Sequence, residues 1–564
     1  MSNQLILSLI AASVLTACGG SSTTATAPAD PTPAPPKPTT TITATTGVIT
    51  GFGSVFINGV EYETDATTVT TDDNGGASES DLQVGMVVTL SGEINEDGTT
   101  GNANAIHYDE QLKGPIASID LFANTITILD QTIVFDDLTS FENFLLADLI
   151  PGDILEISGY FHTDGTLYAT RIEKETEQTQ LKIQARITLL DSVNKTFELN
   201  GLTIDYSSAI FKDFLEADLV DGQQVRVKGE YTALNAGVLV VSEVKLKEKN
   251  ENNEEGDNRH VEGFITDFES SGNFKVDGIA IILDDNTEFK YGDASALMAN
   301  VRVKIKGEFN ADGSLLAKKI RIEQKTNLSI EGAIEAINLD LSTVTVLGVE
   351  FEINNQTKMK DESDNGERFF DLADVAIGEF VELKGFVDSD GKNIATKMQR
   401  ENEDENAEVE LKGHVSNILN FSFSLVGVTV ITDANTEFEG KNGDDVNQEV
   451  FFEQLENNMQ VEVKGQLIDG VFVALSVEIE EKDDDDNSDS NRTEFKGIVE
   501  AINEGTLVVS GHQVLVGQTT IFKIDDVRVA AEQFWSSIAI DTQLKIKGTL
   551  DQQGVITANY IELE

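Results

Sequence analysis

The chain has 564 residues, with 99 acidic and 40 basic side chains and a formal net charge of −59. A chain of this length exceeds one hydrophobic core, so we expect several domains. The acidic excess argues against a nucleic-acid partner and against anionic headgroups, because both need a basic face. We expect most of the charge to be a solvated coat, with cation binding as the alternative.

The first element is an apolar run over residues 5–15, which leads into Leu15-Thr16-Ala17-Cys18 and then Gly19. The run has the length of a signal-peptide core and is too short to span a membrane. The tetrapeptide resembles the lipobox of bacterial lipoproteins. This resemblance implies a signal peptide over residues 1–17, a lipid on Cys18 and attachment to the membrane through that lipid alone. A buried N-terminal helix is the alternative interpretation.

Residues 18–46 are predicted to form a tether behind the lipidated cysteine. Six of the eight prolines lie between Pro28 and Pro38. Proline fixes φ and has no N–H, so this stretch favours an extended polyproline II conformation. Gly19 stands where an aspartate would resemble an inner-membrane retention signal, which favours the outer membrane. Since Cys18 is the only cysteine, no disulfide can join the folded repeats.

From residue 47 onward, a unit of about 65 to 80 residues recurs seven times. Each unit contains a strand that alternates apolar and charged residues and ends in glycine, such as Val225-Arg226-Val227-Lys228-Gly229. Asp-Gly follows in most units, as at Asp312-Gly313 and Asp390-Gly391. The pattern predicts half-buried strands, with the charges facing solvent, joined by hairpin turns. A calcium loop is the weaker interpretation, because no copy completes the EF-hand spacing.

The first half of each unit predicts a second hairpin, followed by a Thr-x-aromatic element such as Thr436-Glu437-Phe438. A short segment comes next, for example residues 214–219, whose apolar residues recur three or four apart and suit one or two helical turns. These elements predict an all-β tandem array of about seven small barrels, similar to OB or SH3-like barrels, each with a short helical plug. We favour barrels over a β-solenoid, because solenoid rungs are shorter and need no Asp-Gly hairpins.

The boundaries follow the repeats, which we place at residues 47–111, 112–174, 181–247, 260–324, 329–400, 408–480 and 493–564. Acidic runs between some repeats predict flexible joints, and we expect each repeat to have a core of its own. One run contains four consecutive aspartates at residues 483–486. A metal cluster there is the alternative, although four adjacent aspartates cannot all face one ion without a folded frame.

The first repeat carries the most specific sequence, Gly47-Val48-Ile49-Thr50-Gly51-Phe52-Gly53-Ser54-Val55-Phe56-Ile57-Asn58-Gly59-Val60-Glu61-Tyr62. Together with Gly85-x-x-Val88 and Asp97-Gly98, it resembles a bacterial envelope family known as domain of unknown function 5666. The resemblance covers the whole repeat region, most closely in the first repeat. It implies an exported, lipid-anchored β-repeat protein, and it brings no activity or ligand with it.

No catalytic residue, metal site or cofactor is predicted. The five histidines stand singly at different positions, and we expect ordinary surface or turn residues: His107, His162, His260, His414 and His512. Carboxylates in strands alternate with apolar residues, whereas a glycosidase pair would have to converge across a cleft. Trp535 is expected to fill the seventh core, with a role in stacking on a sugar as the alternative.

Two function classes remain. We favour a non-catalytic, lipid-anchored protein of the bacterial cell envelope that acts as a surface spacer, adhesin or binding scaffold. The alternative is a periplasmic or outer-membrane protein that binds a small ligand or cation in grooves between barrels. The sequence names no envelope partner and no ligand-binding residue.

We expect Cys18→Ser to leave the protein unprocessed or released from membranes, because the lost thiol is the lipid attachment point. Detergent partitioning of the wild type and the variant measures this. Equal partitioning of both proteins into the aqueous phase would show that the lipoprotein interpretation is wrong.

Overall fold

A computed structural model describes residues 41–563, apart from gaps at residues 72–75, 122, 177–179, 236, 248–253, 365, 403–407, 442–445, 469, 481–491, 504, 525–526, 541 and 551–554. The predicted signal peptide, Cys18, most of the tether and the four aspartates at 483–486 lie outside the described residues. Residues 41–46, which the sequence places in the tether, belong instead to the first strand and pair on both of its sides.

The same succession of strands recurs in every repeat. Repeat 1 contains β1 (Thr41–Phe52), β2 (Val55–Ile57), β3 (Val60–Glu63), β4 (Thr68–Thr71), β5 (Val87–Ile94) and β6 (Thr100–Tyr108). Repeat 2 contains β7 (Leu112–Asp120), β8 (Thr125–Ile128), β9 (Gln131–Val134), β10 (Ser140–Glu142), β11 (Ile154–Phe161) and β12 (Leu167–Glu175). Repeat 3 contains β13 (Gln180–Asp191), β14 (Thr196–Leu199), β15 (Leu202–Asp205), β16 (Ile210–Lys212), β17 (Gln224–Glu230), β18 (Leu234–Asn235), β19 (Val238–Val240) and β20 (Glu243–Leu246).

Repeats 4 to 7 continue the pattern. Repeat 4 contains β21 (Asn258–Ser270), β22 (Asn273–Val276), β23 (Ile279–Ile282), β24 (Glu288–Lys290), β25 (Arg302–Phe309) and β26 (Leu315–Ile322). Repeat 5 contains β27 (Leu328–Asn338), β28 (Thr343–Val346), β29 (Val349–Glu352), β30 (Lys358–Asp361), β31 (Phe380–Val387) and β32 (Asn393–Glu401). Repeat 6 contains β33 (Glu408–Leu419), β34 (Ser422–Leu425), β35 (Val428–Ile431), β36 (Glu437–Glu439), β37 (Gln460–Ile468) and β38 (Val471–Ile479). Repeat 7 contains β39 (Arg492–Asn503), β40 (Thr506–Val509), β41 (His512–Ile524), β42 (Val527–Val529), β43 (Gln543–Leu550) and β44 (Val555–Leu563).

Five strands of a repeat close into a ring. In repeat 5, β27 pairs with β28, β28 with β29, β29 with β32 in parallel, β32 with β31, and β31 with β27. In repeat 3 the closing strand is split into β19, which pairs with β15, and β20, which pairs with β17. The predicted all-β array of small barrels is therefore confirmed.

The predicted helical plug varies between repeats. Repeats 1 to 4 have a single 3-10 turn there, at Glu79–Asp81, Leu146–Asp148, Glu216–Asp218 and Ala294–Ala296. Repeats 6 and 7 have short α-helices instead, α1 (Gln448–Gln454) and α2 (Ala531–Ser537). Among the described residues of repeat 5, this segment forms turns and no helix. The prediction of a helical plug in every repeat is therefore wrong for repeat 5.

The glycine that the sequence places at the end of each charged strand lies inside that strand, and in repeats 1, 2 and 4 to 7 it lies at a β-bulge. In repeat 5 the pairing of β31 with β32 shifts register between Lys384 and Gly385, and a Cβ on Gly385 would lie 2.1 Å from the carbonyl oxygen of Ile394. The carbonyl of Ala395, opposite Gly385, accepts a hydrogen bond from the Thr357 hydroxyl at 2.8 Å. The same threonine–alanine bond recurs at Thr67–Ala103, Thr139–Ala169, Thr287–Ala317, Thr436–Ala474 and Thr520–Ala558. The recurring glycine, alanine and threonine thus hold each bulge in place.

The first strands of the repeats pair with one another. β7 and β13 are antiparallel through Leu112 and Ile183, and β27 and β33 are antiparallel through Ile330 and Leu411. β1 and β21 run in parallel over residues 43–46 and 258–261. Each of these strands is longer than the second strand of its repeat, which leaves part of one edge open for another repeat.

Hydrophobic cores cross some repeat boundaries. One buried cluster spans repeats 2 and 3, and another spans repeats 5 and 6. Repeats 1, 4 and 7 have clusters of their own. The expectation of a separate core in each repeat is therefore wrong for four repeats, because strand pairing brings their apolar faces together.

We expect Gly385→Ala to lower the free energy of unfolding by about 1 to 3 kcal/mol, because its Cβ meets backbone and cannot be relieved by a rotamer change. Thermal denaturation of the full chain, followed by circular dichroism, measures the effect. Gly272→Ala is the matched control, since no atom lies within 4 Å of the added Cβ. Equal melting of the two variants would contradict the proposed role of the bulge.

Candidate functional site

The charged faces of several strands meet other parts of the chain instead of solvent. Arg226 and Lys228 lie on the outward face of β17, yet both are buried. Arg226 Nη1 is 2.9 Å from Asp109 Oδ1, just before β7, and its Nη2 is 2.8 Å from Glu243 Oε1. The expectation of a solvated face is wrong here, because strand alternation does not distinguish solvent from a neighbouring repeat.

Repeats 1, 2 and 4 meet around a buried ion pair. Glu262 on β21 is fully buried, and it accepts hydrogen bonds from Arg302 Nη2 at 2.6 Å and from the Val48 N–H at 3.2 Å. The Arg302 guanidinium lies 5.4 Å from the ring centroids of both Tyr160 and Tyr168. Burial alone would lower the pKa of Arg302, but the Glu262 carboxylate and the two tyrosines hold that pKa above its usual value. Arg302 therefore stays charged, and the pair contacts two further repeats.

Repeat 5 reaches repeat 2 through Lys358. The Lys358 ammonium donates to the carbonyl of Leu138 and lies 3.3 Å from Ser140 Oγ. Burial, and then repulsion from Lys397, lowers the pKa of Lys358 to about 7. A lysine with this pKa can serve as a base or nucleophile where a substrate can reach it. Lys358 is buried and lines neither of the cavities described below, so its position fits a contact between repeats.

Carboxylates gather where repeats 5 and 6 pair. Glu331 on β27 accepts a hydrogen bond from the Glu410 N–H at 3.3 Å. Burial, followed by the negative charges of Glu401, Glu410 and Glu382, raises the pKa of Glu331 to about 7. In the described part of the chain, no group of three or more histidine, cysteine, aspartate or glutamate side chains has the geometry to hold a metal ion.

The aspartates of the Asp-Gly turns stabilise their own turns. Asp97 Oδ1 accepts from the N–H groups of Thr99 and Thr100 at 2.7 and 2.8 Å. Hydrogen bonds from the Thr100 hydroxyl and then from these backbone groups lower the pKa of Asp97 to about 2. Gly98, with φ of +70°, supplies the left-handed residue that such a hairpin needs. A turn alone thus accounts for both residues of the pair.

The histidines lie apart from one another, but not all of them lie at the surface. His260 on β21 is buried where repeat 1 pairs with repeat 4, and burial lowers its pKa to about 3. The ring of His162 packs against Phe264 with centroids 4.2 Å apart. The expectation of an ordinary surface or turn residue is therefore wrong for His260, which lies at a contact between repeats. His162 does lie in a turn, where its carbonyl accepts a hydrogen bond from the Gly165 N–H at 3.1 Å, although its ring also contacts repeat 4.

Two of the cavities bordered by described residues are large enough to hold a small ligand. One, of about 610 Å³, lies between repeats 2 and 4 and is bordered by Thr163, Phe268 and Lys275. The other, of about 320 Å³, lies in repeat 7 and is bordered by Phe522 and Trp535. In that repeat Phe534 is fully buried, whereas Trp535 is partly buried beside the core and lines the cavity.

The sequence did not single out Glu262, Arg302 or Lys358, which join the repeats. In the sequence, each of them is a charged residue at an outward strand position. Many residues that face solvent have the same pattern, so the pattern does not identify a contact between repeats. In the part of the chain that is described, no helix has both the length and the apolar character needed to cross a membrane.

Seven segments match the family model described as Domain of unknown function (DUF5666), at residues 41–100, 113–173, 184–245, 262–321, 331–399, 412–478 and 496–562. The chain belongs to this family. The match confirms the resemblance carried by residues 47–62, and each of the seven family domains corresponds to one barrel. No curated protein is significantly similar to the chain.

We expect Glu331→Gln to stabilise the protein at pH 8 and to change little at pH 5. The folded carboxyl has a pKa of about 7, above its ordinary value, so in that window the folded state binds more protons and stability falls as pH rises. Melting temperatures at both pH values measure this. Exposed Glu437→Gln is the control, and an equal gain for Glu331→Gln at both pH values would refute the assignment.

Proposed function

We propose that this protein is a non-catalytic, lipid-anchored binding scaffold of the bacterial cell envelope. The observation that carries the proposal is the way the repeats are joined. Paired first strands and buried ion pairs hold several barrels together, and hairpin turns of differing sequence remain outside. Such an arrangement keeps several loops in fixed relative positions, which favours binding through more than one loop at once.

The strand pairing supports a scaffold over an extended spacer. A spacer gains length when each domain contacts only the next one along the chain. Here β1 pairs with β21, so repeat 4 contacts repeat 1 although two repeats lie between them in the chain. The seven barrels therefore span less than seven barrel lengths placed end to end.

The side chains that could perform chemistry support a non-catalytic role. Lys358 is enclosed by repeats 2 and 5, and the two histidines at repeat contacts stand singly. The turn carboxylates of Asp97 and Asp312 accept hydrogen bonds from their own turns, which weakens the cation-binding alternative. Lipid anchoring rests on the predicted lipobox at Cys18.

Protease treatment of intact cells tests whether the scaffold can meet an outside partner. We expect added protease to digest the wild-type protein without permeabilisation, while a periplasmic marker protein in the same cells stays intact. The comparison with Cys18→Ser shows whether the exposed position depends on the lipid. Protection of the wild type until the outer membrane is opened would contradict a surface scaffold.

A further inference from the structure

One end of the third barrel exposes apolar side chains. Leu189, near the end of β13, and Val193, in the turn to β14, are 69% and 88% exposed, and Leu215 and Val220, beside the 3-10 turn, are 71% and 55% exposed. Turns at the surface are usually built from glycine, asparagine, aspartate, serine or proline. We call these four side chains the apolar end of the third barrel. Clustered exposed apolar groups mark interaction sites in soluble proteins.

Two contacts join the segments that carry these four side chains. The Leu190 N–H donates to Asp221 Oδ1 at 2.9 Å, which joins the end of β13 to the segment after the 3-10 helix. Lys195, in the turn to β14, forms an ion pair with Glu216 of that helix. The turn and the 3-10 segment therefore lie against each other at the same barrel end.

The backbone does not explain the leucine at position 189. Leu189 has a φ of +50°, a left-handed conformation that is costly for a bulky residue. Asp267 and Asn417, at the equivalent positions of repeats 4 and 6, have φ of +46° and +51° and are residue types that tolerate this conformation better. Repeat 3 thus presents an exposed leucine where folding favours a polar residue.

The charged residues around the apolar end determine which kind of binding partner is complementary to it. Residues 189–196 and 213–221 contain five carboxylates and one lysine, which is paired with Glu216. Lys212 and Arg186, whose Nη1 donates to the Gly222 carbonyl at 3.0 Å, border these segments, so the carboxylates remain in excess. The Asn194 N–H and side chain hydrogen-bond to Asp191 and lower its pKa, so its carboxylate stays ionised. An anionic membrane or a second copy of this acidic end would be repelled. A complementary surface combines apolar groups with positive charge.

Two other repeats repeat part of this feature. The equivalent turn exposes Leu339 and Leu341 in repeat 5, and Leu419 and Phe421 in repeat 6. Phe421 packs edge-on against Phe452 of α1, so there too the turn adjoins the plug. With Phe369 and Ile377 of its plug segment, repeat 5 exposes four such side chains, as repeat 3 does, but the most exposed of all, Val193 at 88%, belongs to the third barrel.

We propose that the apolar end of the third barrel binds an amphipathic polypeptide segment whose apolar face is flanked by lysine or arginine. The apolar residues of the segment cover Leu189, Val193, Leu215 and Val220, and its cations face the carboxylates of the rim. The proposal rests on the scaffold function above and names the chemistry of one partner.

Fluorescence anisotropy on the full-length protein tests this with three labelled probes of equal length: an amphipathic leucine–lysine helix, a leucine–glutamate helix and an oligolysine. We expect the leucine–lysine peptide to bind best at moderate salt. The quadruple variant L189S/V193S/L215S/V220S should weaken that binding about tenfold or more, because it removes the apolar area that the peptide would bury. Oligolysine has no apolar face and interacts only with the acidic surface. It should therefore bind the wild type and the quadruple variant equally.

Val240→Ser, at another exposed apolar position of repeat 3, is the matched control and should leave all three affinities unchanged. Circular dichroism melting shows whether the quadruple variant remains folded. Equal binding of the leucine–lysine peptide to wild type and quadruple variant would overturn the proposal, as would a variant-sensitive preference for the leucine–glutamate peptide or for phosphatidylcholine vesicles. None of these results affects the protease and lipidation tests of the scaffold function. A failure of the peptide-binding proposal can therefore be distinguished from a failure of the scaffold proposal.

Discussion

The first strand of each barrel is longer than the second strand that pairs with it, and this excess length governs how the repeats meet. Part of one edge therefore has no partner inside its own barrel, and exposed strand edges invite pairing with other chains. Within the described residues, β1 covers β21, β7 covers β13 and β27 covers β33. Because the first strands of two barrels pair, the outward faces of the neighbouring strands also come into contact. The charged side chains on those faces become buried and need partners of opposite charge.

Those charges then distinguish one neighbour from another among seven similar barrels. A buried ion pair adds little net stability, but removing one partner leaves an uncompensated charge at a high cost. Arg226 and Lys182 of repeat 3 pair with Asp109 and Glu110, which lie just before β7. A barrel placed against the wrong neighbour would bury such a charge alone. Specificity of assembly is thus a reason for buried charge in a chain whose net charge is strongly negative.

The sequence was sufficient for features that depend on nearby residues. Strand alternation and Asp-Gly turns are local, so the barrels, their hairpins and the recurring glycine were predictable, although the contact of Gly385 with the Ile394 carbonyl was not. The neighbours of each barrel were not predictable, because pairing of β1 with β21 depends on residues far apart in the chain. For the same reason, alternation placed Arg226 in solvent, whereas the structure buries it. The exposed apolar end of repeat 3 needed the structure, since exposure distinguishes Leu189 from a core leucine.

The pairing of repeat 1 with repeat 4 also sets an order of events during synthesis. β7 and β13, like β27 and β33, belong to consecutive repeats, so each pair can form soon after its second member emerges. The Val48 N–H and its partner Glu262 are 214 residues apart. The edge of the first barrel therefore stays uncovered while two further barrels are made, and uncovered edges are where nascent chains associate wrongly. Newly made first barrels on adjacent chains are the species that a chaperone would need to keep apart.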